Sequence, residues 1–331
     1  MKRIEQAPQI FNRREFLKGL GLTASYLATE ALLFPVFVEK AQHTLHKHIP
    51  ILVTGLAPYW DETVIVHMSD MHLAGRGIDF FDPDSALELS ASITQSLKQM
   101  GADPDKTFIF DSGDVVSKGA GDGRESSMMA TAEMAGYLQR IPAAGKFVTG
   151  GNHDLAHSQA DQLWNIFSDA GYQVCGLPSQ GGSSIGSGTL PFQVIATPDF
   201  TGHASWYRSA EGKQFLQQVQ AQKTKPSIWL THNASLFDRG ILNPELLLED
   251  TLSLSGHTHG GQVGANTPLQ LLAGRVALRR VHYDSEYIHG LYPVGNSGLV
   301  HVSAGLGHAH SHGVRTAQPE VVFFTLHSNF S

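Results

Sequence analysis

Thiols are almost absent from this chain. Cys175 is the only cysteine in 331 residues, so no intrachain disulfide can form, and a thiolate cage around zinc is excluded with it. Cys175 follows Val174 in an apolar stretch and reads as a small buried side chain. Charge is also scarce. Asp, Glu, Lys and Arg make up 16% of the residues, and 23 basic against 30 acidic groups leave a net charge of -7. That argues against bulk nucleic-acid binding through a basic surface. Small phosphorylated substrates stay open, because bound metal ions can supply positive charge locally. There is no repeat, coiled coil or low-complexity tract, and no convincing Ser- or Cys-based catalytic triad.

What is present begins with an address. Asn12-Arg13-Arg14-Glu15-Phe16-Leu17-Lys18 resembles a twin-arginine export signal, and an apolar run from Gly19 to Val38 follows it. About 20 residues can span a bilayer as a helix. Glu30 and Pro35 weaken the run as a permanent anchor, and Glu39-Lys40-Ala41-Gln42 offers no persuasive cleavage site. The competing reading is a cytosolic protein with an amphipathic N-terminal helix. Residues 1–47 are therefore expected to be a signal or membrane anchor with its linker, and residues 48–331 one large domain. The 41% hydrophobic content is enough for a sizeable core.

Five short polar motifs follow apolar, strand-like stretches. Ser69-Asp70-Met71-His72 follows Val64–Met68, and Ser112-Gly113-Asp114 follows Thr107–Phe110. Gly151-Asn152-His153-Asp154 comes after Lys146–Thr149. Thr231-His232-Asn233 comes after Ile228–Leu230, and Gly256-His257-Thr258-His259-Gly260-Gly261-Gln262 after Thr251–Leu254. Open α/β sheets place ligand sites beyond the carboxyl ends of their strands, so these residues should share one rim. Asp70 and His72 are two apart, as are His257 and His259. In extended backbone such pairs face the same way; one ion could take both members, or two ions one each. Carboxylate, imidazole and amide oxygen without thiolate suit Mn, Fe or Zn.

In their order, these motifs resemble the calcineurin-like metallophosphoesterase superfamily, and most closely its bacterial branch of twin-arginine-exported phosphodiesterases. His289-Gly290-Leu291-Tyr292-Pro293-Val294-Gly295-Asn296 adds to the likeness, which runs from about Ile49 to the C-terminus. The resemblance implies a four-layer α/β/β/α sandwich of two mixed sheets with flanking helices. It implies two divalent metal ions, one held by Asp70, His72, Asp114 and His259 and the other by Asp114, Asn152, His232 and His257. His153 would be the catalytic histidine, touching no metal, and Asp154 would orient or charge-balance it.

Periodicity alone supports an α/β class. Residues 49–58 are expected to form an edge strand and a turn leading in, and further strands are expected at Thr63–Met68, Thr107–Phe110, Lys146–Thr149, Gln173–Cys175, Phe192–Ala196, Ile228–Leu230, Thr251–Leu254, Leu299–Ser303 and Val321–Leu326. Helices are expected at Ser85–Met100, ended by Gly101, at Ser126–Arg140 and at Ser158–Ala170. Gly119–Gly123 reads as a turn, and Gly181–Gly188 as a linker or hairpin tip. The loop carrying His308, His310 and His312 is either an accessory metal site or a solvated loop with incidental histidines. Arg275, Arg279, Arg280 and Arg315 are either phosphate contacts or ordinary surface.

The expected function is a dinuclear metal-dependent phosphodiesterase using metal-activated hydroxide, at the periplasm or the outer face of the cytoplasmic membrane. Its partners would be a small-molecule or lipid-linked phosphoester and the twin-arginine export machinery, with possible membrane association through residues 19–38. One alternative is a UDP-2,3-diacylglucosamine pyrophosphatase-type hydrolase of lipid A synthesis. Another, suggested by 18 histidines, is a non-catalytic envelope metal-binding module.

Overall fold

The computed structural model describes residues 44–53, 56–73, 83–117, 124–180, 183–185, 190–199, 205–222, 226–238, 248–260, 263–264, 287–307, 313–314 and 318–328. The twin-arginine motif, the apolar run 19–38, the 119–123 turn, the arginines at 275, 279, 280 and 315, and the histidines at 308, 310 and 312 lie outside these residues. Among the described residues, no helix is long and apolar enough to cross a membrane.

The strands in chain order are β1 (Leu45–Leu52), β2 (Thr63–Met68), β3 (Thr107–Asp111), β4 (Gly145–Val148), β5 (Gln173–Val174), β6 (Ser183–Ile185) and β7 (Gln193–Ala196). They continue with β8 (Ser227–Leu230), β9 (Thr251–Ser255), β10 (Val263–Gly264), β11 (Gly290–Val294), β12 (Gly298–Val302), β13 (Gly313–Val314) and β14 (Glu320–His327). The helices are α1 (Pro83–Met100), α2 (Arg124–Gln139), α3 (Asn152–Leu155), α4 (Ala160–Asp169), α5 (Ala210–Gln222) and α6 (Ser235–Asp238). One sheet runs β1-β14-β2-β3-β4-β5 and the other β11-β12-β9-β8-β7-β6, with β10 and β13 pairing separately. Both large sheets are mixed. β2, β3, β4 and β5 are parallel, while β14 joins β2 antiparallel and β1 parallel. In the second sheet β7, β8, β9 and β12 are parallel, with antiparallel β6 and β11 at its edges.

The layering follows from strand alternation. Along β2, Val64, Val66 and Met68 pack with Leu89 and Ile93 of α1 and Leu138 of α2. Ile65 points the other way, into a second core shared with Phe108 and Phe110 of β3 and with Val194, Ile228, Leu230 and Leu254 of the facing sheet. Beyond that sheet, Ile195 and Trp229 meet Leu216 and Val219 of α5 in a third core. Three cores between four layers make the α/β/β/α sandwich. Strands buried on both faces explain the near-continuous apolar runs at β2 and β3. Each large apolar side chain so buried contributes roughly 1.5–3 kcal/mol.

Local signals account for the ends. Pro83 opens α1 at its first position, where a missing N–H costs nothing, so the helix begins two residues before the Ser85 expected. Gly101 ends it with φ +68: Ala102 N–H reaches Leu97 O at 2.9 Å and Gly101 N–H reaches Lys98 O at 3.1 Å, the paired closure that favours glycine. Pro50 and Pro293 both lie on sheet-edge strands, β1 and β11, where a lost ladder donor is tolerated.

Candidate metal centre

The carboxyl ends of β2, β3, β4, β8 and β9 meet at one rim, and the five motifs meet with them. Three overlapping groups result: Asp70, His72 and His259; His72, Asp114 and His153; and Asp114, His232 and His257. In each group the candidate ligand atoms lie within 4.8 Å of one another. Asp70, His72, Asp114, His232 and His259 are buried, while Asn152, His153 and His257 are partly open to the rim. Asn152 heads α3 directly before His153.

Backbone bonds stitch the turns together. Asp70 N–H donates to Gly113 O at 2.8 Å and His72 N–H to Asp114 O at 3.0 Å. Gly256 N–H donates to His232 O at 2.9 Å. A Cβ on Gly256 would collide with Ser69 Oγ and Asp70 Oδ2, so this position admits only glycine without displacement of the acid.

The expected extended backbone is not what pairs the ligands. Asp70 (φ 52), His72 (φ 50), Asp114 (φ 54), His257 (φ 72) and His259 (φ 49) all occupy the left-handed region. Such residues are uncommon outside glycine and are held only where surroundings over-determine them. Their clustering at one rim marks a functional site rather than a folding need. Asp70 and His72 turn toward the same group, whereas His257 and His259 turn toward different ones.

The electrostatics call for positive charge. His232 Nδ1–H donates to Ser112 O at 2.9 Å. A carbonyl only accepts, so Nε2 is the atom that faces Asp114, 3.2 Å from Oδ2; burial disfavours charge on the ring, but Asp114 outweighs it and raises the His232 pKa well above its usual value. His232 Nε2 and Asn152 Oδ1 are buried without a hydrogen-bond partner among the described residues. In the first group, His72 Nε2 and His259 Nε2 approach to 3.0 Å and stand 3.8 and 3.3 Å from Asp70 Oδ1. Burial disfavours the Asp114 anion, but His232 beside it outweighs that and holds Asp114 well below the ordinary carboxylate range. Burial lowers His72 well below its usual value, with His259 adding to the effect. Converging lone pairs and carboxylates fit divalent cations.

Asp154 holds backbone on both of its oxygens. Its Oδ1 accepts Val116 N–H at 2.9 Å and its Oδ2 accepts Gly151 N–H at 3.0 Å, clamping the turn after β3 to the turn after β4. Burial and then Asp114 push its pKa up to about 7. His153 is placed by its backbone: its N–H donates to Asp114 Oδ1 at 2.8 Å. Its ring stands edge-on to His72 with centroids 4.8 Å apart. Sequence reasoning passed over Ser69, Ser112, His67 and His301, which form a second tier behind Asp70; the only signal was a histidine inside each of two apolar strands.

Comparison with known proteins agrees with this geometry. Residues 63–261 match the calcineurin-like phosphoesterase family, spanning the five motifs up to Gly261. Over 337 aligned residues the chain is 26% identical to the uncharacterized metallophosphoesterase YkuE of Bacillus subtilis (strain 168), covering 96% of this chain and 98% of that protein. A 93-residue stretch is 36% identical to the uncharacterized metallophosphoesterase Cj0846 of Campylobacter jejuni, 27% of this chain and 20% of that protein. Among solved structures, Haemophilus influenzae NAD nucleotidase (NadN) aligns over 72% of this chain and 44% of its own, at 13% identity and a TM-score of 0.40. The chain belongs to the calcineurin-like phosphoesterase family and is a metal-dependent phosphoester hydrolase.

Proposed function

We propose that the protein is a phosphodiesterase working with two divalent metal ions at the cell envelope. The observation that carries this reading is the pair of groups Asp70–His72–His259 and Asp114–His232–His257 side by side on one rim. Asp114, joined to His72 in the intervening group, is the residue placed to serve both ions. Asn152, with its buried Oδ1, completes the second set. Bound cations would offset phosphoryl charge and acidify a water to a nucleophile near neutral pH.

The protein's own part is positional. Its left-handed turns hold the donors before any ion arrives, so little reorganisation is needed at the moment of reaction. Asp114 Oδ1 fixes the His153 backbone, and that leaves the His153 ring at the partly open face. There it can meet the substrate and give a proton to the departing alkoxide, the need that distinguishes an alkyl diester from an activated ester. The envelope location rests on Arg13-Arg14 and the apolar run that follows.

Purified full-length protein, stripped and then loaded with Mn, Fe or Zn, should hydrolyse a chromogenic phosphodiester faster than the matching monoester. A monoester preference would overturn the diester assignment. Metal analysis giving one ion per chain at full activity would overturn the dinuclear one.

A further inference from the structure

Two histidines sit inside the sandwich, away from the rim. His67 belongs to β2 and His301 to β12, on opposite sheets and 234 positions apart, yet their Nδ1 atoms lie 2.9 Å from each other. His67 is 0% exposed and His301 1%. Apolar residues of matching shape would suit this core at least as well, since buried polar groups rarely add net stability over hydrophobic replacements. Fold stability therefore does not account for the pair.

The contacts continue toward the rim. His67 Nε2 lies 3.0 Å from Ser112 Oγ, Ser112 Oγ 2.7 Å from Ser69 Oγ, and Ser69 Oγ 2.5 Å from Asp70 Oδ2. Ser69, Asp70 and Ser112 are all 0% exposed, so water cannot substitute at any link. Counting protons gives the chain a direction. The Asp70 carboxylate only accepts, so Ser69 donates its single proton there. The Ser69–Ser112 bond must then take its proton from Ser112. Ser112 has none left, so His67 donates through Nε2–H. The neutral His67 ring is then bare at Nδ1, and His301 donates through Nδ1–H. Burial favours neutral rings at both positions, first by desolvation, bringing His301 down to about 4.

We propose that His301, His67, Ser112 and Ser69 form a one-way hydrogen-bond chain through the core that positions Asp70 for metal. The proposal rests on the reading of Asp70 as a ligand. The chain ends on Oδ2, which also receives His257 N–H at 3.0 Å in a bond shared with Oδ1 at 3.1 Å. Oδ1 is the oxygen that faces His72 and His259. Occupying Oδ2 from behind stops the carboxylate from turning, leaving Oδ1 directed at the first group. Outer partners of this kind typically change metal affinity or activity roughly 10–100-fold. These four are positioning residues, which reach the first group through the bond from Ser69 to Asp70.

The test reads tautomers first. Nitrogen-15 NMR of the metal-free full-length chain, labelled at histidine and assigned by loss of signal in His67→Gln and His301→Asn, should show His67 protonated at Nε2 and His301 at Nδ1. The reverse tautomers would mean the chain runs the other way and would overturn the proposal. Metal titration by calorimetry follows. His67→Leu should stay folded and lose roughly 10–100-fold in affinity for one of its ions. His67→Gln, which can still donate toward Ser112, should recover most of that loss. Unchanged affinity in His67→Leu overturns the positioning role. Correct tautomers with no metal uptake by the unaltered protein would instead overturn the metal-centre reading, so the two failures are distinguishable.

Discussion

Replacing Asp114 by Asn tests the centre at the residue proposed to serve both ions, which is grouped with His72 as well as with His232 and His257. The exchange is close to isosteric, and the amide oxygen can still accept His153 N–H, now 2.8 Å from Oδ1. What disappears is the negative charge at Oδ2, which faces His232 Nε2 at 3.2 Å and His72 Nε2 at 3.8 Å. The side chain is only 2% exposed. This decides the magnitude. An exposed pair would lose under about 1 kcal/mol, whereas removing one partner of a buried charge pair costs roughly 3–5 kcal/mol. At about 1.4 kcal/mol per factor of ten, that is a roughly 10²–10⁴-fold loss of metal affinity. Calorimetric titration and elemental analysis would read it, with hydrolysis of a chromogenic phosphodiester falling to background. Circular dichroism of the metal-free variant checks that the sandwich persists. A folded Asp114→Asn protein that keeps two ions and a near-normal rate would refute the shared-ligand reasoning.

Other outcomes follow from the same geometry. His153→Ala should retain both ions yet lower kcat roughly 10²–10⁴-fold, with a smaller fall for nitrophenyl esters, whose leaving group needs no proton; loss of metal would make His153 a ligand through its group with His72 and Asp114. Gly256→Ala should cut metal content sharply, because the new methyl must displace Ser69 and Asp70; metal stoichiometry equal to that of the unaltered protein would show that the loop gives way. Glu320 is buried against Lys47 and His289. Burial opposes its charge, but the His289 contact leads the effects that outweigh this and depress its pKa far below the usual range. A depressed acid stabilises the fold above its unfolded-state pKa, so this contribution should fade as pH falls below about 4. Glu320→Gln should cost roughly 1–3 kcal/mol at neutral pH and flatten that acid limb in denaturant titrations. Lys at both Arg13 and Arg14 should hold the protein in the cytoplasm, since such signals are read by a receptor rather than by charge; unchanged fractionation would remove the export proposal.

The rim could be read from sequence because its chemistry is written in residue types that rarely follow an apolar run. Asp70, Asp114, Asn152, His232 and His259 each follow a strand that hydrophobicity alone locates, and strand ends are where α/β sheets bind ligands. The conformations could not be read. No glycine stands at Asp70, His72, Asp114, His257 or His259, and nothing local announces φ near 50–70; only the tertiary bonds between turns impose it. Pairing was hidden for the same reason. β14 lies between β1 and β2 although more than 250 residues of chain separate Thr63 from Glu320, and local propensity carries no record of such a partner. Helix α5 escaped notice because Ala210–Gln222 is rich in glutamine, with Phe215, Leu216 and Val219 alone forming its apolar stripe.

His67 and His301 show where a physical clue existed without an interpretation. A histidine within Val64–Met68 or Leu299–Ser303 interrupts a strand buried on both faces, and a buried imidazole needs partners. The sequence therefore implied some polar contact in the core at each position. That the two contacts are one, and that it leads through two serines to Asp70, depends on the sheets facing each other so that His67 of β2 meets His301 of β12 across the interior. A polar residue in an otherwise apolar strand is thus a question that only the opposing layer answers, and here the answer lies behind the metal centre rather than in it.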